Sequence, residues 1–239
     1  MFVPFHDRNP LRYIRHAWVT RGIVVVNILI FLFYQRAGAE EATLASVVSF
    51  GLIPSTLTGI HIRPDTAIGL AEPLTLVTYS FLHADFWHLA GNMLFLWVLG
   101  DNVEDATGHI RFVVFYLLCV VGGGLAHVLA LPGSDAVLIG ASGGVAGVIA
   151  AYLILHPRVR IWVLLLFRFP VPLPTFIVLG FWVIWQIGMV VFGPEGDVSW
   201  ITHLGGLLTG AVAILLLRRR GVPLFARDDA VVVPPAVVD

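Results

Sequence analysis

The chain has 239 residues, of which 58% are apolar and only 12% charged, with a mean hydropathy of +0.91 and a net charge of -1. That balance lies far outside the range of soluble globular domains and places the chain in a membrane. The near-neutral charge offers no basic field to hold nucleic acid. Cys119, the single cysteine, sits in an apolar run, so an intrachain disulfide is excluded and the thiol reads as a small core residue.

Residues 1–21 are rich in Arg, His and Pro and show no cleavage site after a short apolar region, which reads as a cytosolic lead-in and not as a signal peptide. Crossing the hydrocarbon takes about 20 apolar residues. Six windows answer to that, at 21–36 (extended a little at either end), 86–103, 111–131, 137–155, 173–192 and 200–217. Residues 42–61 hold no Asp, Glu or Arg, but Gly51, Pro54 and interspersed Ser and Thr favour an interfacial or re-entrant segment over a seventh span. The apolar run 161–169 is too short to cross and meets Pro170, Pro172 and Pro174, which break a helix, so it reads as a loop lying on the membrane.

Every basic residue is Arg, and their placement sets the orientation. With the N-terminus inside, the inner segments collect Arg8, Arg12, Arg15, Arg21, Arg111, Arg158, Arg160, Arg168, Arg218, Arg219, Arg220 and Arg227, leaving only Arg36 and Arg63 outside. Twelve of fourteen on one face satisfies the positive-inside rule. The fold class expected is therefore an all-α, six-transmembrane-helix bundle with a long first extracytoplasmic loop, in a plasma (inner) membrane. A cytosolic segment 1–20 precedes a membrane domain at 21–218, and a cytosolic tail 219–239 follows it.

That orientation makes a spatial prediction. His88 and Asn92 open the second span from outside, Ser142 lies at the outer end of the fourth, and His203 opens the sixth. At about 1.5 Å of rise per residue, all lie within one to two turns of the outer surface and can converge. Polar side chains are expensive in a bilayer and default to a functional reading. Ser142 stands in Gly140-Ala-Ser142-Gly-Gly144 at a helix start, where free N–H groups and the helix dipole favour an anion. The pentad also fits the nucleophile elbow of soluble hydrolases, but that motif requires a strand before the helix and here an apolar span continues through Tyr152. The bland alternative is that its small residues merely allow close helix packing.

His203 leads a helix whose Gly205, Gly206 and Gly210 form a packing face. A lone His there is more often a packed side chain. Paired with Ser142 at equal depth it becomes the natural general base, since imidazole titrates near neutrality, and a Ser-His dyad is expected. His88 and Asn92, four residues apart, share one helix face and can donate toward one point, as a tetrahedral oxyanion requires. His83 and His88 are five apart and no Cys or carboxylate completes a ligand set, which argues against zinc. His109, His127 and His156 read as structural, and Gly100, Glu104, Gly108 and Arg111 as an inner turn fixed by its charges.

The strings His83-Ala-Asp-Phe-Trp-His88-Leu-Ala-Gly-Asn92-Met93, Gly140-Ala-Ser142-Gly143 and His203-Leu-Gly-Gly206 fall in order on alternate spans, and over residues 73–217 the chain resembles the rhomboid family of intramembrane serine proteases. The resemblance implies the six-helix rhomboid fold, Ser142 as nucleophile, His203 as base, and an oxyanion hole from the Ser142 backbone N–H, His88 and Asn92. It also implies transmembrane protein substrates, cleaved in or beside their membrane span, and no cofactor or metal. Two departures stand out. The Trp-Arg pair that many members carry in the first loop is replaced by Leu74-Thr75, and the aromatic residue that some place four positions after the nucleophile is Ala146, so His203 must be oriented from elsewhere.

Two rivals are a non-catalytic rhomboid-like binder of membrane clients, which would lack the Ser or the His, and a transporter or channel, whose polar residues would extend across the bilayer. Substrate entry is expected to be lateral beside the fifth span, because Pro170, Pro172 and Pro174 leave its inner end weakly tied while Phe181, Trp182 and Trp185 supply bulky contacts to a neighbour.

Overall fold

The computed structural model describes residues 2–63, 70–165, 168–193 and 199–226. Arg227, Asp197 and the tail beyond residue 226 lie outside the described residues. Helices dominate. In chain order the long ones are α1 (Trp18–Leu29), which runs on as a π-helical turn at Ile30–Tyr34, then α5 (Phe86–Thr107), α6 (His109–Ala130), α7 (Ser142–Leu155), α8 (Thr175–Phe192) and α9 (Trp200–Leu217). Between the first two lie three short pieces, α2 (Glu40–Phe50), α3 (Pro54–Leu57) and α4 (Thr75–Thr78). Three described helices, α6, α8 and α9, are long and apolar enough to cross a membrane by length and composition. α1 with its extension and α7 are apolar but shorter, and α5 ends in a run holding Asp101, Glu104 and Asp105.

The sequence punctuates these helices with caps. The Asp85 carboxylate accepts the N–H groups of Trp87 at 2.7 Å and His88 at 2.9 Å, which fixes where α5 begins. At its other end Gly108, with φ +86°, turns the chain directly into α6 in a conformation that favours glycine. α7 is buried on nearly every side, from Gly143 to Tyr152, which explains why its small and aliphatic residues show no polar face. α9 lies against it at backbone distance. A Cβ at Gly206 would strike the Gly143 carbonyl, and one at Gly210 would strike Gly147, so the two helices run parallel in register.

At the opposite end from Ser142, two carboxylates of α5 gather the N-terminal segment. Glu104, fully buried, accepts Val19 N–H at 3.0 Å and both the Thr20 N–H and hydroxyl at 2.7 Å, while pairing with His109. Asp105 accepts the N–H groups of Arg12, Tyr13 and Ile14 at 2.7–2.8 Å. These charges therefore do more than fix the turn between α5 and α6. Glu104 satisfies donors that the start of α1 leaves free and stands where its dipole favours a negative charge, while Asp105 holds the segment that leads into it.

Two expectations are corrected at this end. The run 161–169 is not a loop lying on the membrane but β2 (Arg160–Leu165) and the beginning of β3 (Phe169–Pro174), and the supposed lead-in supplies β1 (Phe2–Asp7). The three form an antiparallel sheet in the order β1-β2-β3, so the all-α class gains a small sheet. Pro170, Pro172 and Pro174 oppose Leu164, Trp162 and Arg160, all at one parity of the ladder. A proline has no N–H to give, so that parity faces away from β2, and the prolines close the outer edge of the sheet to further pairing. They do end the helix, but they do not leave it loose. Thr175, the first residue of α8, donates both its N–H and its hydroxyl to the Val159 carbonyl, at 2.8 and 2.9 Å.

The segment between α1 and α5 is organised by Arg63. Its guanidinium makes paired bonds of 2.8 and 2.9 Å to the Glu72 carboxylate and reaches the carbonyls of Val48 and Gly51. The Arg63 side chain holds Glu72 below the usual carboxylate range, the hydrogen bond being the main cause. α2 spans 11 residues, short of the about 20 that a crossing helix needs.

Candidate active site

The site grows from three helix starts that the packing draws to one end of the bundle. Gly140 holds φ +117°, and a Cβ there would lie 2.6 Å from His88 Nε2 and 3.9 Å from the Asn92 amide nitrogen. Only glycine lets the backbone leading into Ser142 pass so close to α5. The Gly140 N–H donates to the Tyr79 carbonyl at 2.9 Å, and the Tyr79 hydroxyl donates to Val120 O at 2.8 Å, so the turn before Ser142 is braced from below. Ser142 is the first residue of α7, half-buried, with Ala141 as its non-capping predecessor, which leaves the N–H groups of the first turn without helical partners.

His88 keeps its Nδ1 within 3.5 Å of the Ala84 N–H, an arrangement that puts the ring proton on Nε2, the atom facing Gly140. Asn92 gives one amide proton to the His88 carbonyl at 3.0 Å and retains the other. Behind them His83 is fully buried, its ring meeting that of His88 edge-on at 5.1 Å. Burial, and secondarily the His88 charge, push His83 down to about 3, so it stays neutral at physiological pH. Its backbone N–H and carbonyl are both held by the Gln35 side chain, at 3.0 and 2.9 Å.

His203 enters from α9. Ser199 caps that helix, its hydroxyl meeting Thr202 Oγ1 at 2.7 Å and His127 Nδ1 at 2.8 Å, and a Cβ at Gly143 would touch the Thr202 methyl at 3.2 Å. The imidazole sits between two indoles, Trp182 and Trp200, each with centroids 5.9 Å away, and its Nδ1 lies 2.7 Å from Gln186 Oε1. The structure thus gathers His88, Asn92, the Ser142 turn and His203 at one end. Ser142 and His203 are not joined by a hydrogen bond, and the one shown for the His203 ring goes from Nδ1 to Gln186. Among the described residues no group of three His, Cys, Asp or Glu side chains could hold a metal ion.

A rhomboid-domain profile matches residues 70–220, well over half of the chain. The chain belongs to the rhomboid family. Its similar relatives include the mitochondrial Rhomboid protein 1 of Saccharomyces cerevisiae, 30% identical over 60% of this chain and 41% of that protein. The chloroplastic Rhomboid-like protein 11 of Arabidopsis thaliana is 32% identical over 60% of this chain and 52% of its own length. The Rhomboid protease GluP of Bacillus subtilis is 31% identical over 54% of this chain but 23% of its own. The match spans about half the length of these relatives or less. This rhomboid, with its apolar helices, is an integral membrane protein.

Several residues of the site escaped the sequence reading. Gln186 carried a signal, a lone amide in the middle of an apolar span, which is costly unless it is paired. Trp200 and the Ser199 cap carried none, because nothing in their spacing points at His203. His109, His127 and His156 do have partners, in Glu104, Ser199 and the Tyr152 ring.

Proposed function

We propose that this rhomboid is an intramembrane serine endopeptidase that cleaves transmembrane proteins in or beside their spans. Ser142 Oγ attacks the substrate carbonyl as His203 Nε2 takes its proton; His203 then returns that proton to the leaving amine, and water repeats the exchange on the acyl-enzyme. His88 Nε2–H, the free Asn92 amide proton and the Ser142 backbone N–H donate to the oxyanion. No cofactor is required. The reading includes six membrane spans, a long first loop on the side of the site, both termini on the other side, and a division at residues 20 and 218.

What supports the reading is that a ring able to donate and a ring able to act as base lie on the helices beside the Ser142 turn. The protonated nitrogen of His88 faces the backbone at Gly140, and His203 has Nδ1 committed to Gln186, which leaves Nε2 bare. The open Ser142 hydroxyl is the one feature that favours a client-binding protein without catalysis, yet catalytic hydrogen bonds in unliganded sites are often long and tighten with substrate. A fluorophosphonate probe decides between them. Labelling at Ser142, lost in both Ser142→Ala and His203→Ala together with cleavage of a transmembrane reporter, is the expected result; cleavage that survives either change removes the dyad.

A further inference from the structure

His203 lies against α8, the fifth of the expected spans. A neutral imidazole carries one proton, and only the tautomer with Nδ1–H leaves Nε2 free to accept from a serine. That tautomer needs an acceptor opposite Nδ1, and the described residues place Gln186 Oε1 there at 2.7 Å. Gln186 is 2% exposed and lies inside an apolar helix, where an unpaired amide is costly. Trp182, one turn earlier on α8, covers the imidazole face at a centroid distance of 5.9 Å, so one face of α8 supplies both the acceptor and the ring contact. No aromatic residue does this from α7, where Ala146 stands one turn after Ser142.

We propose that Gln186 is a positioning residue that selects the Nδ1–H tautomer of His203 and so holds Nε2 ready as the base, an assignment that rests on the Ser142–His203 reading. An amide differs from a carboxylate in this place. It accepts the proton's hydrogen bond without adding a negative charge, so the imidazolium formed during attack is stabilised by a dipole alone. His88 of α5 is the titratable side chain whose charge also acts on His203.

Two variants test this. Gln186→Met keeps the length and removes the acceptor, whereas Gln186→Glu keeps the acceptor and adds charge. In detergent, Gln186→Met should lower both kcat and the rate of fluorophosphonate labelling about tenfold to a hundredfold, as loss of the outer hydrogen-bond partner of a metal-bound histidine does. KM should stay within about twofold, because substrate contacts are untouched. Gln186→Glu should restore labelling and move the acid limb of its pH profile to higher pH, since a carboxylate stabilises the imidazolium and the base is freed only in more alkaline solution. That shift reports that position 186 faces Nδ1; the loss of labelling in Gln186→Met is what a packing role alone would not produce. Unchanged labelling in Gln186→Met, an effect confined to KM, or an unmoved acid limb in Gln186→Glu overturns the assignment; if Gln186→Met fails to fold, the Gln186→Glu profile decides alone. Ser142→Ala and His203→Ala run beside them separate the outcomes, because retained activity there fails the dyad, whereas loss there with a normal Gln186→Met fails only Gln186.

Discussion

Asn92 divides its amide between its own helix, through the 3.0 Å bond to His88 O, and the space before Ser142. Asn92→Ala should therefore lower kcat about 10²–10³-fold, as loss of one oxyanion donor does, with a smaller change in KM. A change in KM alone, measured on the transmembrane reporter, would make Asn92 a substrate-binding residue instead. The two tryptophans of α8, which sequence treated alike, separate in the structure. Trp182 packs on Phe95 and beside His203, whereas Trp185 is 53% exposed and stacks only on Phe181. Trp182→Ala should slow fluorophosphonate labelling, and Trp185→Ala should leave it unchanged; equal effects would show that Trp182 does not hold the base. The sequence made Ser142, His203, His88 and Asn92 legible because bilayer cost singles out polar residues and helical rise puts them at one depth. The supports behind them were hidden, because which face of α8 or α9 turns inward depends on packing, and the apolar pattern of a buried helix carries no phase.

The expected turn at Gly108 lies where α5 gives way to α6, whereas the Asp85 cap and the distant partners of α5 went unread. Glu104 and Asp105 lie in α5, yet the backbone donors they hold are at residues 12–20, over 80 positions away in sequence. Glu104→Ala would leave the Val19 and Thr20 donors unsatisfied in a buried place, a loss of about 3 kcal/mol. The melting midpoint in detergent should fall while Glu104→Gln, which keeps an acceptor, falls less; equal midpoints for the two variants would mean that the carboxylate is not the anchor of α1. The prolines before α8 show the opposite error. Their lack of an N–H was read as a break, but strand edges tolerate the same lack, and only pairing with residues remote in sequence reveals which role applies.

Across the whole molecule, the segment between α1 and α5 is tied in part by the Arg63–Glu72 ion pair. Arg63 lowers Glu72 below its ordinary value of 4.5, so this pair contributes stability above pH 4.5 that is lost as the pH falls through the lower folded value. Protease cutting between α2 and α4 should accelerate on acidification below that point, and Glu72→Gln should cut quickly at every pH. A wild-type rate that does not change with pH would show that the pair does not hold the segment.

β1 is made well before its partner strand. Its residues 2–7 pair with 161–165, so about 150 residues must leave the ribosome before the ladder can close. At about 5–20 residues per second, that is on the order of ten seconds or more in which an extended, apolar segment waits unpaired while the helices between are inserted. Assembly of this end of the protein therefore waits on the synthesis of β2, and closing the sheet ties the N-terminal arm to the strand that follows α7.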